Sequence, residues 1–291
     1  GLLASVPVRI AVRGLRGGHS GLNIIENRGN AIKLTTRILL AALDAGIEVD
    51  VVALEGGSKH NAIPREAFAT CRVHRGDLDH LRTAADACLQ DFKEEFLSSD
   101  PDFEVAVETL DDTEDLQHVL NVHARDRLLR LLDAIPHGVL AMSREVTGLV
   151  ESSNNMAVVS TEGDHARIIT SHRSSIMPAL NAIGRQITSI SNLSGANVSS
   201  DDPYPGWKPN PDSPIVKKTA RVFEQVLGSR PEIKAIHAGL ECGLLIEKMP
   251  DMDAVSIGPE IQNAHSPEER VQISSVDRFY TVLKALLEDL S

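Results

Sequence analysis

Pro7-Val8-Arg9-Ile10-Ala11-Val12-Arg13 runs directly into Gly14-Leu15-Arg16-Gly17-Gly18-His19-Ser20-Gly21. Apolar and polar residues alternate through the first seven, the two-residue period of a half-buried strand. The glycines that follow make a turn presenting one histidine. Residues 30–43 carry helical spacing (Ile32, Leu34, Ile38, Leu39, Ala42), and Gly46 is a stop signal. Strands are expected over 48–54 and 67–73 on either side of a turn at 56–61. A helix over 77–97 and a strand over 103–110 follow. The order β-α-β-β-α-β predicts a ferredoxin-like layer with its helices on one face.

Residues 124–134 predict another helix, 148–151, 156–160 and 166–171 three strands, 175–189 a helix, and Asn197 a short strand. Residues 61–73 and 155–170 each read as an Asn-headed hairpin feeding a helix. This suggests a duplicated layer, or shared architecture without duplication. Proline and glycine between 201 and 211 mark a crossover between domains, 1–203 and 204–291. Beyond it the pattern becomes α/β: helices over 213–227, 240–249 and 276–290, and strands over 232–236 and 252–257. Two strands are too few for an independent doubly wound domain. This part is therefore expected to complete a domain whose other portion is absent. The chain begins at Gly1 and enters a strand almost at once, so a piece of something longer is expected.

The 291 residues are 42% hydrophobic but 3% aromatic, so the core must be aliphatic. A net charge of −12 and a pI near 5.4 argue against nucleic acid and anionic membrane as partners. They suit a cytoplasmic protein. Cys71, Cys88 and Cys242 form no paired framework and imply a reducing compartment. Cys71 and Cys88 sit in apolar contexts and read as small core residues.

Four stretches place a polar group at a turn among small residues. His19 lies beside glycines, where backbone can approach a ligand, although an exposed turn histidine would look the same. Arg173 ends a strand pattern and could equally serve a surface ion pair. His237-Ala238-Gly239-Leu240-Glu241-Cys242-Gly243 joins a strand to a helix. Its free N–H groups would suit a carboxylate; the alternative is a plain turn that uses glycine for backbone freedom. His265 follows Ser256-Ile257-Gly258-Pro259 and is either a solvated loop residue or a metal ligand past a strand end. No phosphate-binding glycine loop, GxSxG elbow or HExxH occurs.

Five motifs occur in order: residues 14–21, Asn61-Ala62-Ile63-Pro64-Arg65-Glu66-Ala67-Phe68-Ala69-Thr70, Tyr204-Pro205-Gly206-Trp207, residues 237–243, and residues 256–259 with His265-Ser266-Pro267. Together they resemble the aminoacyl-histidine dipeptidase (cytosol non-specific dipeptidase) branch of the M20 metallopeptidases, over essentially the whole chain. The resemblance implies a lid domain followed by the C-terminal portion of an α/β zinc-peptidase domain. It implies His265 as the metal ligand from the C-terminal end, and His19 as the lid histidine reaching the scissile carbonyl oxygen. It further implies Asn155 and Arg173 as lid contacts to substrate, and the Gly239–Glu241 turn at the substrate's carboxylate end. Two zinc ions in a complete enzyme, a dipeptide substrate such as Xaa-His and a homodimer through the lid are also implied.

Two departures stand out. The family's turn usually has glycine where this chain has Ala157. The HxD pair, bridging Asp and catalytic Glu-Glu that the family carries before its lid have no counterpart here: no His-x-Asp occurs, and Glu94-Glu95 falls inside the lid. One imidazole cannot hold two metals. The chain is thus expected to be the C-terminal part of such a dipeptidase, inactive alone. The alternatives are a non-catalytic peptide-binding or dimerisation module, or another M20 hydrolase such as a tripeptidase or deacylase.

Overall fold

A computed structural model describes residues 4–201, 206–207, 210, 212–234, 241–249, 251–262 and 269–291. The chain divides into two compact units, Gly1–Ser174 with Pro178–Asp201, and Ser175–Met177 with Asp202–Ser291.

The first unit grows from β1 (Ser5–Arg13), whose Val6, Val8, Ile10 and Val12 all turn into the core. A short β2 (Gly18–His19) precedes α1 (Ala31–Asp44). Asn30 caps α1: its Oδ1 accepts the N–H groups of Ile32 and Lys33. Then come β3 (Val49–Gly56), β4 (Ala62–Ile63), β5 (Ala67–His74), α2 (Leu78–Phe96) and β6 (Glu104–Thr109). After α3 (Val122–Ala134) follow β7 (Gly138–Met142), β8 (Val150–Glu162), β9 (His165–Ser174) and α4 (Met177–Leu193).

Seven strands make one antiparallel sheet, in the order β6-β1-β5-β3-β8-β7, with β9 also on β8. Asn154 faces both Gly138 of β7 and His172 of β9, while Val159 faces both Gly56 of β3 and Ile168 of β9. β3 and β7 therefore share one side of β8, and β9 takes the other. The inward residues of β1, β3 and β5 pack with α1, α2 and α3 in one aliphatic core. Cys71 and Cys88 are inside it, and burial pushes both thiols up.

Three expectations give way here. The strands after Leu110 build no second layer; they lengthen the first sheet. Residues 148–151 and 156–160 belong to one continuous β8. The polar run Ser152-Ser153-Asn154-Asn155 interrupts the apolar pattern, but Ser152 meets the Ser174 hydroxyl, Asn154 the Pro136 carbonyl and Asn155 the Ala62 carbonyl. β7 has little apolar alternation and escapes a sequence reading. No strand forms near Asn197.

The described part of the second unit contains α5 (Pro214–Leu227), α6 (Glu241–Lys248), the ribbon β10 (Ile261–Gln262) with β11 (Arg270–Val271), and α7 (Ile273–Leu290). Val222, Val282 and Leu286 join α5 to α7, with Ile257 against them. Asp253 accepts the Ser213 hydroxyl at 2.6 Å and the Ile215 N–H at 2.9 Å, fixing the start of α5. Those bonds, the amide's first, hold its carboxyl below the usual range. The strand expected over 252–257 is absent, and 232–234 are not in strand. A strand needs a neighbour's N–H and C=O groups, and no described strand pairs with these segments.

Candidate functional site

The β2–β4 ribbon pairs Gly18 with Ile63 and His19 with Ala62. His19 Nδ1 accepts two backbone N–H groups, Gly21 at 3.1 Å and Leu22 at 3.2 Å. With Nδ1 an acceptor, the neutral ring carries its proton on Nε2. The His19 N–H goes to Asn23 Oδ1 at 2.9 Å. Gly18 is required: at φ +128° its added Cβ would stand 2.6 Å from both Asn23 Oδ1 and Arg28 Nη1.

The ribbon meets β8 and β9 through Asn155. Its Nδ2 donates to the Ala62 carbonyl at 2.8 Å, so the residue opposite His19 is tied to β8. Side chains alternate along a strand, and Met156 points into the helix-covered core. Asn155 and Ser153 thus occupy the other face, with Arg173 opposite Ser153. Arg173 Nη2 donates to Ser20 Oγ at 3.3 Å, and the Ser20 N–H to the Asn61 carbonyl at 2.8 Å. His19, Ser20, Asn155 and Arg173 therefore belong to one bonded patch.

Two groups in that patch are unsatisfied. Asn155 is 1% exposed, and its Oδ1 has no hydrogen-bond partner among the described residues. Arg173 Nε is likewise buried and unpartnered. No carboxylate among the described residues pairs with Arg173, and burial alone pushes its pKa down. A guanidinium stays charged regardless, and a half-buried unpaired cation is costly unless something anionic arrives. The patch offers a cation, a buried acceptor and an imidazole donor.

Behind it lies a support network. Asn30 Nδ2 donates to the Met156 carbonyl at 2.8 Å. His137 Nδ1 accepts the Met156 N–H at 3.4 Å and faces Asn30 Nδ2 at 3.3 Å. Both fix the backbone next to Asn155. Burial, aided by nearby Lys33, lowers the His137 pKa to about 4. Ala157 is buried in a bulge of β8. Beside it Gly57, at φ +70°, must lack a side chain: a Cβ on it would come 1.9 Å from the Ala157 carbonyl oxygen.

Gly239 and His265 lie outside the described residues, and Glu241 is described only as the first residue of α6. Among the described residues no group of three or more His, Cys, Asp or Glu could hold a metal ion. The residues described do not fit a metal centre. Ser20, Asn30, Asp100 and His137 do not stand out in the sequence as parts of this patch or its supports. Ser20 was visible within the small-residue turn, and Asn30 as a helix cap. His137 and Asp100 gave no local signal, because their partners lie far away in the chain.

Residues 18–289 match the model of peptidase family M20/M25/M40. The chain belongs to that family. It is 35% identical over 282 residues to a cytosol non-specific dipeptidase of Escherichia coli (strain K12), covering 97% of this chain and 57% of that protein. The crystal structure of an aminoacylhistidine dipeptidase from Vibrio alginolyticus superposes with a TM-score of 0.85 at 37% identity. That match covers 98% of this chain and 58% of the other. This M20 chain therefore spans a little over half the length of both relatives. No helix among the described residues is long and apolar enough to cross a membrane.

Proposed function

We propose that this chain supplies the substrate-capping side of a metal-dependent M20 dipeptidase acting on short peptides, dipeptides such as Xaa-His among them. The convergence of His19, Asn155 and Arg173 on one face carries the reading. Arg173 meets the negative end of the substrate, and Asn155 Oδ1 accepts one of its N–H groups. His19, protonated on Nε2, donates to the scissile carbonyl oxygen, where negative charge develops. We also assign Gly239 and Glu241 to binding the carboxylate of the substrate. In the relatives named, the activity belongs to a longer polypeptide. The two zinc ions of a complete site would activate the attacking water, and His265 is the one ligand we assign to this chain.

Supporting the same reading, β6-β1-β5-β3 with α1 and α2 has the order of a ferredoxin-like lid. We take residues 1–203 as that lid and 204–291 as the C-terminal part of the catalytic domain. A homodimer through the lid and a cytoplasmic setting complete the proposal.

The test is a chimera in which this chain replaces the matching 57% of the Escherichia coli dipeptidase. The chimera should hydrolyse an Xaa-His dipeptide in a zinc-dependent manner. His19→Ala should lower kcat by about 100-fold or more, as loss of an oxyanion donor does. A folded, metal-loaded chimera whose rate ignores His19→Ala would refute the assignment.

A further inference from the structure

The loop that carries His19 is closed by a side chain from a distant part of the chain. Asp100, just beyond α2, is 1% exposed. Its Oδ1 accepts the Arg16 N–H at 2.7 Å and its Oδ2 the Gly29 N–H at 2.8 Å, across 84 and 71 residues of chain. The Ser99 hydroxyl donates to Oδ2 at 2.8 Å. One carboxylate thus holds both ends of the segment 16–29.

Inside that segment the bonds form a frame around His19. Asn23 Oδ1 holds the His19 N–H, and Asn23 Nδ2 donates to Glu26 Oε1 at 2.6 Å. Arg28 binds Glu26 Oε2 through Nε and Nη2, and reaches back to the Gly17 carbonyl. The frame is internally complete. At the front it is held by the two β2–β4 pairs, by the Ser20 N–H on the Asn61 carbonyl and by buried Ile24 packed on Ile63 and Val150. At the back, both ends meet on Asp100.

We propose that Asp100 is a positioning residue for His19: by clamping Arg16 and Gly29 it keeps the Gly21 and Leu22 amides aimed at Nδ1. The ring thereby stays in the Nε2–H tautomer. Without the clamp the ends separate, the two amides lose their common target, and the ring exchanges between tautomers. A carboxylate is the group the site requires, because it offers two acceptors and no donor to two facing N–H groups. The inference rests on the reading that His19 is the functional donor of this face.

The experiment is long-range ¹H–¹⁵N spectroscopy of the histidines in the 291-residue chain, with amide exchange recorded alongside. In the parent, His19 should show one tautomer, protonated on Nε2. Asp100→Asn, the same size but donating from one arm, and Asp100→Ala should both average the two ring nitrogens. Both should speed exchange at the Arg16 and Gly29 amides by at least about tenfold, as loss of a charge-assisted bond implies. The β1–β5 amides should keep their protection. Should Asp100→Ala fail to fold, the isosteric Asn variant is decisive by itself. A single, unchanged His19 tautomer in the variants would overturn the proposal even if they melt lower, since Asp100 would then be a loop staple alone. The readout needs no turnover, so an inactive chimera would refute the proposed function without touching this assignment.

Discussion

Acid should weaken the support under Asn155 in a definable pH window. His137 accepts the Met156 N–H and lies against Asn30, with Lys33 as the cation felt at the ring. Its folded pKa of about 4 lies below the ordinary 6.5, so the unfolded chain takes the proton first. Stability is therefore intact above pH 6.5, declines as pH falls towards 4, and changes no further below that. At roughly 1.4 kcal/mol per pH unit between the two values, the ceiling is about 3 kcal/mol. The ring keeps a partly exposed edge, so the observed loss should be smaller, on the order of 2 kcal/mol by pH 4.5. Urea unfolding of the parent and of His137→Gln, from pH 7.5 to pH 4, isolates the effect. Carboxylates titrate alike in both proteins, so their contribution cancels in the difference. The variant should start less stable and lose less on acidification, the two curves converging at low pH. Parallel curves would show that His137 carries no differential proton.

Gly57→Ala should be among the costliest single changes, since a Cβ at 1.9 Å from the Ala157 carbonyl oxygen adds to a left-handed backbone. A loss of several kcal/mol, about 3 or more, is expected in a chemical melt; a loss under 1 would show that the bulge yields freely. Ile38→Ala, fully buried in α1, should cost about 2–5 kcal/mol by the same assay, with the patch around Arg173 unaltered. Ser20→Ala removes the hydroxyl that holds Arg173 and should raise KM of the chimera by roughly three- to tenfold, the worth of one hydrogen bond, while Ser20→Thr keeps it near the parent value. The 291-residue chain alone should show no zinc-dependent dipeptide hydrolysis above a blank.

Much of the first unit was legible because its pattern and its packing agree. The alternation of β1 and the spacing of α1 report burial directly, and both elements lie where the sequence places them. The run Ser152-Ser153-Asn154-Asn155 was opaque for the opposite reason. Its polarity suggested a break, yet Asn154 Nδ2 reaches the Pro136 carbonyl at 2.6 Å and Asn155 the Ala62 carbonyl. Polar side chains enter a sheet when distant backbone receives them, and no local window contains that information. Residues 252–257 erred the other way: an apolar run promised a strand, but Ile257 packs on α5 and α7 instead. Of the site, His19, Asn155 and Arg173 were nameable from motifs. Their meeting through Ser20 and Ala62 required the fold, and Asp100 required it entirely.

The proposed role of Arg173, which has no carboxylate partner among the described residues, is to bind the anionic end of a peptide shared with His19 and Asn155. Its most direct test is kcat/KM of the chimera for a dipeptide and for the same dipeptide amidated at its C-terminus, with and without Arg173→Met. The parent chimera should favour the free carboxylate by tenfold or more, on the order of a charge-assisted pair, and Arg173→Met should erase that preference. An equal preference in parent and variant would show that Arg173 does not bind that carboxylate.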